Sequence, residues 1–222
     1  MVRNGATGDW EGTLYGHKGA VWGVAWNSDA TIAATASADF TAKIWATNNQ
    51  GNEIHTFIHK HIVRAVDFSF DDKRLLTASN DKKISMFDLT NYDSEPQTFL
   101  GHEGNIRDVY FISRDDNCFV SASEDKTVQF WDKRTGKSQT ELRFNEMPYS
   151  VEVTADKLLL SICHGTKVSF YGLDNMNKLA EFSVPTEVYS ASISPNKNTF
   201  VCGGEDFVIY KYDINSQTQI GK

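Results

Sequence analysis

Apolar and polar residues alternate along this chain in short bursts and never sustain a helical spacing. Val128, Phe130 and Asp132 interleave with Thr127, Gln129 and Trp131, which is the two-residue period of a strand. Similar bursts rich in Val, Ile, Phe, Thr and Tyr recur throughout, punctuated by Asp, Asn, Gly and Ser. The pattern predicts many short strands joined by tight turns. At three places the alternation slips. Val21/Val24, Val63/Val66 and Ile106/Val109 stand three apart, which predicts a bulge in those strands.

The bursts form a repeat. Five turn-and-strand segments stack: SADFTAKIW, SNDKKISMF, SEDKTVQFW, CHGTKVSFY and GEDFVIYKY. Their closing aromatics, Trp45, Phe87, Trp131, Tyr171 and Tyr212, are spaced 42, 44, 40 and 41 residues apart. A second segment precedes each: HKGAVWGVAW, HKHIVRAVDF, HEGNIRDVYF, FNEMPYSVEV and VPTEVYSASI. Their leading residues, His17, His59, His102, Phe144 and Val184, are spaced 42, 43, 42 and 40 apart. Two independent markers therefore give one period. One four-stranded sheet cannot cover both its faces, so such units must stack around an axis.

Gly16-His17 and Gly101-His102 early in a repeat, with Trp131-Asp132 late and Phe87-Asp88 and Tyr212-Asp213 as variants, resemble the WD-repeat family. The resemblance covers about residues 10–222. It implies an all-β propeller of five consecutive four-stranded blades, an open portion of a seven-bladed ring. The expected organisation is a single domain over 1–222, with repeats at about 16–58, 59–101, 102–143, 144–183 and 184–222. Residues 10–15 read as the outer strand of a preceding blade. The alternative is that they pair with the last three strands and close a five-bladed ring.

Repeats one and three carry His, Ser, Asp and Trp in register: His17, Ser37, Asp39 and Trp45, then His102, Ser123, Asp125 and Trp131. Repeat two keeps His59, Ser79 and Asp81 but has Phe87, and repeat five keeps Asp206. A catalytic Ser/His/Asp set is needed once, whereas this one recurs, so no catalytic residue is assigned. The WD resemblance implies a structural network instead. Asp holds the turn, His bonds Asp, and the Ser hydroxyl ties His to the indole N–H, pairing every buried polar group. Repeat four has Phe144 and Gly165 at the His and Asp positions, and repeat five has Val184 at the His position. Those two should rest more on apolar packing.

Composition narrows the field. The 222 residues, 40% hydrophobic, suit one large domain or two small ones, and the net charge is −7. That balance argues against direct nucleic-acid binding, although Arg64, Arg107 and the tyrosines include stacking types. Cys118, Cys163 and Cys202 are few, odd in number and dispersed, which argues against a disulfide framework and for a reducing compartment. No signal-like start and no run long enough to span a membrane is present. His55, His59 and His61 lie close together, but no Cys, Asp or Glu stands nearby at ligand spacing. No metal or cofactor is expected, and no phosphate-binding glycine loop is found.

The position five residues after each repeat's leading residue holds Trp22, Arg64, Arg107, Tyr149 and Tyr189. In WD propellers this position lies near the narrower face, where partners often bind, and aromatics and Arg are hot-spot residues. These five are the candidate partner-binding face.

The phrases TGDWEGTLYGHKGAVWG, ADFTAKIW, HKHIVRAVDFS and GGEDFVIYKYD resemble one branch of WD proteins, the serine/threonine-kinase receptor-associated or unr-interacting family. That resemblance implies a non-enzymatic adaptor of cytoplasm and nucleus. It implies contact with Gemin proteins in the SMN complex that assembles spliceosomal ribonucleoproteins. It also implies modulation of transforming-growth-factor-β receptor signalling. The alternative is subunit i of translation initiation factor three, a related WD adaptor; HKHIV and GGEDF favour the first.

Overall fold

The computed structural model describes residues 1–47 and 51–222. Every regular element among them is a strand. They gather into two compact units, Met1–Leu100 and Gly101–Lys222.

The first unit opens with a two-stranded antiparallel hairpin, β1 (Val2–Arg3) and β2 (Trp10–Gly12). Blade one follows as β3 (Val21–Trp26), β4 (Ile32–Ser37), β5 (Thr41–Ala46) and β6 (Asn52–Ile58). Blade two is β7 (Val63–Phe68), β8 (Arg74–Ser79), β9 (Lys83–Asp88) and β10 (Gln97–Leu100). Each blade is an antiparallel sheet with its strands in chain order. The second strands, IAATAS and RLLTAS, are buried almost throughout. The unit's core lies between the two sheets. Ala34, Ala36, Ala42 and Ile44 of blade one meet Val63, Val66, Phe68 and Leu75 of blade two, with Phe57 stacked on Phe87 at 4.1 Å. Alanines at the centre of blade one leave room for the larger side chains opposite, as close packing requires.

The second unit holds three blades. Blade three is β11 (Ile106–Phe111), β12 (Cys118–Ser123), β13 (Thr127–Asp132) and β14 (Lys137–Arg143). Blade four is β15 (Pro148–Val153), β16 (Leu159–His164), β17 (Lys167–Gly172) and β18 (Lys178–Ser183). Blade five is β19 (Val188–Ile193), β20 (Thr199–Gly204), β21 (Ile209–Asp213) and β22 (Thr218–Gly221). One apolar cluster joins blades three and four through Val120, Val128, Phe130, Val151, Leu160 and Ile162. Another joins four and five through Val168, Phe170, Phe182, Val188, Phe200 and Tyr212.

Trp10–Gly12 is a strand, but its partner is Val2–Arg3. The last blade is completed by its own fourth strand, Thr218–Gly221. The alternative in which residues 10–15 supply that strand is not the pairing found.

The slips in alternation are bulges, and all five first strands have one. The register jumps between Val21 and Gly23, Val63 and Ala65, Ile106 and Asp108, Pro148 and Ser150, and Val188 and Ser190. First strands also leave edge amides free, and neighbouring carboxylates cap some of them. Asp108 accepts the Val151 amide at 3.1 Å, and Glu152 accepts the Ile193 amide at 2.9 Å.

Candidate functional site

In blade three the polar set forms a continuous relay. Trp131 Nε1–H donates to Ser121 Oγ at 2.8 Å. The Ser121 hydroxyl meets His102 Nε2 at 2.7 Å, and His102 Nδ1 meets Asp125 Oδ2 at 2.8 Å. The Ser121 hydroxyl thus accepts from the indole and bridges it to the imidazole, whose other nitrogen faces the carboxylate. Asp125 also accepts the Glu103 amide at 2.9 Å and the Thr127 hydroxyl at 2.5 Å. Blade one repeats the arrangement. Trp45 Nε1–H donates to Thr35 Oγ1 at 2.8 Å, Thr35 meets His17 Nε2 at 2.6 Å, and His17 meets Asp39 at 2.8 Å. Thr41 and the Lys18 amide complete the Asp39 shell. Burial alone would raise both aspartates. Hydrogen bonds from Thr41, the Lys18 amide and His17 hold Asp39 well below the usual carboxylate range, and those from His102, Thr127 and the Glu103 amide do the same for Asp125.

One expectation is corrected. The hydroxyl that links His to Trp is not Ser37 or Ser123. It is Thr35 or Ser121, two residues earlier on the same strand and the same face. Ser37, Ser79 and Ser123 instead accept the amides of Asp39, Asp81 and Asp125 at 3.2, 3.3 and 3.2 Å, closing the turn. Indole and imidazole converge over the middle of the strand, and the turn serine lies one pleat too far along. Thr41 and Thr127 were not singled out in the sequence. Their signal was a threonine two residues after Asp39 and Asp125.

Blade two lacks the relay. Phe87 has no side-chain N–H, and Thr77 donates to the Ser85 carbonyl at 3.4 Å. His59 Nε2 is buried with no hydrogen-bond partner among the described residues, and the ring packs edge-on to Phe87 at 5.6 Å. Burial pushes the His59 imidazole down to about 4, with the Asp81 charge opposing. Asp81 Oδ1 accepts the Lys83 amide at 3.2 Å, keeping the turn role. In blade five Asp206 accepts the Tyr210 hydroxyl at 2.6 Å and the Val208 amide at 3.1 Å, so a tyrosine replaces the histidine.

The other histidines diverge. His55 stacks on Tyr92 at 4.9 Å, and His61 faces Phe40 at 5.4 Å while its Nδ1 accepts the Ile62 amide. Cys163 and Cys202 are buried thiols within the apolar cluster of blades four and five, and burial pushes Cys202 up to about 11. Both pack as small apolar side chains. His164 Nε2 lies 2.9 Å from Ser169 Oγ, which itself donates to Glu181 at 3.1 Å. The acid sits on the serine rather than on the imidazole, and Ser169 is fully buried, so this is no nucleophile–base–acid order.

Trp22, Arg64, Arg107, Tyr149 and Tyr189 are the five bulged residues, each the position skipped by the register jump. A bulge re-aims its side chain, which lifts these five out of the sheet-face alternation. The structure pairs them within each unit. The Arg64 guanidinium lies over the Trp22 ring at 4.4 Å, and Trp22 is 55% exposed. Arg64 also donates to Asn80 at 3.2 Å. In the second unit the Tyr149 and Tyr189 rings are 5.0 Å apart, and Tyr149 donates its hydroxyl to Glu187 at 3.2 Å. Arg107 pairs with Glu124 at 2.9 Å.

Strand meanders of four, a turn acid bonded to an upstream His, and an indole tied to that His by a hydroxyl define a WD-repeat propeller protein. The WD domain, G-beta repeat family matches residues 8–46, 51–88, 94–132 and 176–213. The chain belongs to that family. Within it, the sequence is 42% identical to the human serine-threonine kinase receptor-associated protein over 220 residues, which is 99% of this chain and 62% of the human protein. The mouse protein of the same name is 44% identical over the same shares. The protein of that name from Dictyostelium discoideum is 36% identical over 99% of this chain and 74% of its own length. The chain thus spans less than two thirds of its mammalian relatives.

Proposed function

We propose that the chain acts as a non-enzymatic scaffold that holds protein partners against its bulged residues. The observation that carries this is their composition. All five bulges hold a large aromatic residue or an arginine, and none takes part in the network that holds the blades together. Partly exposed aromatics and arginines at fixed, rigid positions suit binding rather than folding. The relatives' name points to association with serine-threonine kinase receptors. Modulation of transforming-growth-factor-β receptor signalling follows as the finer reading. Participation in the SMN complex and splicing through Gemin proteins, in cytoplasm and nucleus, is the further expectation from the resemblance.

Capture of partners by the tagged full chain tests this, beside a variant carrying Trp22→Ala and Tyr189→Ala. The expected outcome is recovery of Gemin or receptor-signalling proteins by the parent and loss by the variant, with unchanged urea midpoints. Recovery of initiation-factor-three subunits instead would move the assignment to that adaptor. Equal recovery by parent and variant would remove the bulges from the binding face.

A further inference from the structure

We propose that the bulge-bearing end of blades four and five docks a basic peptide segment of a partner protein, with an arginine or lysine side chain seated against the Tyr149–Tyr189 ring pair. This rests on the reading of that end as a partner face and adds the chemistry of what it accepts.

The two rings come from the first strands of adjacent blades, with centroids 5.0 Å apart and planes at 60°. Tyr189 is 45% exposed, and neither ring belongs to the two apolar clusters of this unit. Aromatic faces attract cations through the ring quadrupole. The surrounding charge selects the same ligand. Glu187 is exposed and engages Tyr149 through Oε2. The loops and turns at this end of the unit's sheets also carry Glu103, Glu124, Glu146, Glu205 and Asp206. Most cations there are engaged, while Lys222 is exposed and lies near Asp206. Arg107 pairs with Glu124 at 2.9 Å, Lys126 donates to the Asn145 carbonyl at 2.7 Å, and Lys167 pairs with Glu181 at 2.7 Å.

An acidic rim around paired phenols repels phosphates, which argues against nucleic acid here. An arginine satisfies both features at once, because its plane stacks on a ring while its N–H groups reach a carboxylate. The first unit is less acidic at the matching end, where the loops and turns carry exposed Lys18, Lys60 and Lys82 with Asp39 and Asp81. The basic segment is therefore assigned to the second unit.

The test titrates a fluorescent, alternating Arg-Ala decapeptide into the full chain and follows anisotropy. A Glu-Ala decapeptide and a single-stranded oligonucleotide serve as comparators. The Arg-Ala peptide should bind, weaken at high salt, and lose about five- to tenfold in affinity with either Tyr189→Ala or Glu187→Gln. The proposal is overturned if neither second-unit substitution changes Arg-Ala binding, if Glu-Ala binds equally, or if oligonucleotide binding depends on Tyr189. Partner capture separates the two levels. Capture that needs Tyr149 and Tyr189 without any Arg-Ala binding overturns only the basic chemistry, whereas capture indifferent to both rings overturns the face as well.

Discussion

Blades three and four share a strand order and a bulge but fill one corner with different chemistry. In blade three His102, Ser121, Asp125, Thr127 and Trp131 satisfy one another. In blade four Phe144, Gly165 and Tyr171 stand at the His, Asp and Trp positions, and His164 packs on Phe144 at 4.4 Å. The neighbouring sheet compensates with rings. Phe170 lies 5.6 Å from Phe182 and 5.1 Å from Phe200, and Phe200 stacks on Tyr212 at 5.1 Å. Each buried phenylalanine is worth about 1.5–3 kcal/mol, against roughly 1 kcal/mol net for a hydrogen bond. The apolar solution is therefore no weaker, and the relay's particular contribution is to fix the turn. Blade two is the instructive intermediate: it keeps His and Asp without the indole, and its imidazole is left unsatisfied.

The comparison can be broken first at its apolar end. Phe170 is buried within a ring cluster, so Phe170→Ala should cost about 3–5 kcal/mol in urea denaturation. A loss below about 1 kcal/mol would mean that the rings do not stand in for the relay.

Acidification should come next in size and act on the polar blades. The His59 imidazole falls from an ordinary 6.5 to about 4 in the folded protein. The unfolded chain therefore binds the extra proton first as pH drops. Stability should be full above about 6.5 and fall by up to about 3 kcal/mol as pH approaches 4. Asp39 and Asp125 are depressed, so their contribution should disappear only below their ordinary 3.8. His59→Phe, which places in blade two the residue found in blade four, should flatten the slope between pH 6.5 and 4. A slope that persists in that variant would assign it to another group.

The smallest effect tests the register of the relay. Ser121→Ala strands the Trp131 N–H and the His102 Nε2 and should cost about 1–3 kcal/mol. Ser123→Ala removes one turn bond at 3.2 Å and should cost about 0.5–1 kcal/mol. Equal losses, or the reverse order, would restore the turn serine as the link.

Local alternation, and a period that survives side-chain variation, encode the repeat, its strands and the bulges of β3, β7 and β11. His17, Asp39, His102 and Asp125 were legible for the same reason: each recurs at a constant offset. The tertiary structure alone decided which hydroxyl closes the relay. Ser121 and Ser123 share a strand face, and only the placement of an indole and an imidazole from two other strands distinguishes them. It also decided that Trp10–Gly12 pairs with Val2–Arg3, since strand pairing is a contest between edges that no one segment encodes. The pairing of Tyr149 with Tyr189, and of Trp22 with Arg64, joins residues about one repeat apart. Their contact depends on how adjacent sheets pack, so the bulges at Trp22, Arg64 and Arg107 could be foreseen, but those at Tyr149 and Tyr189, and the ring partners, could not.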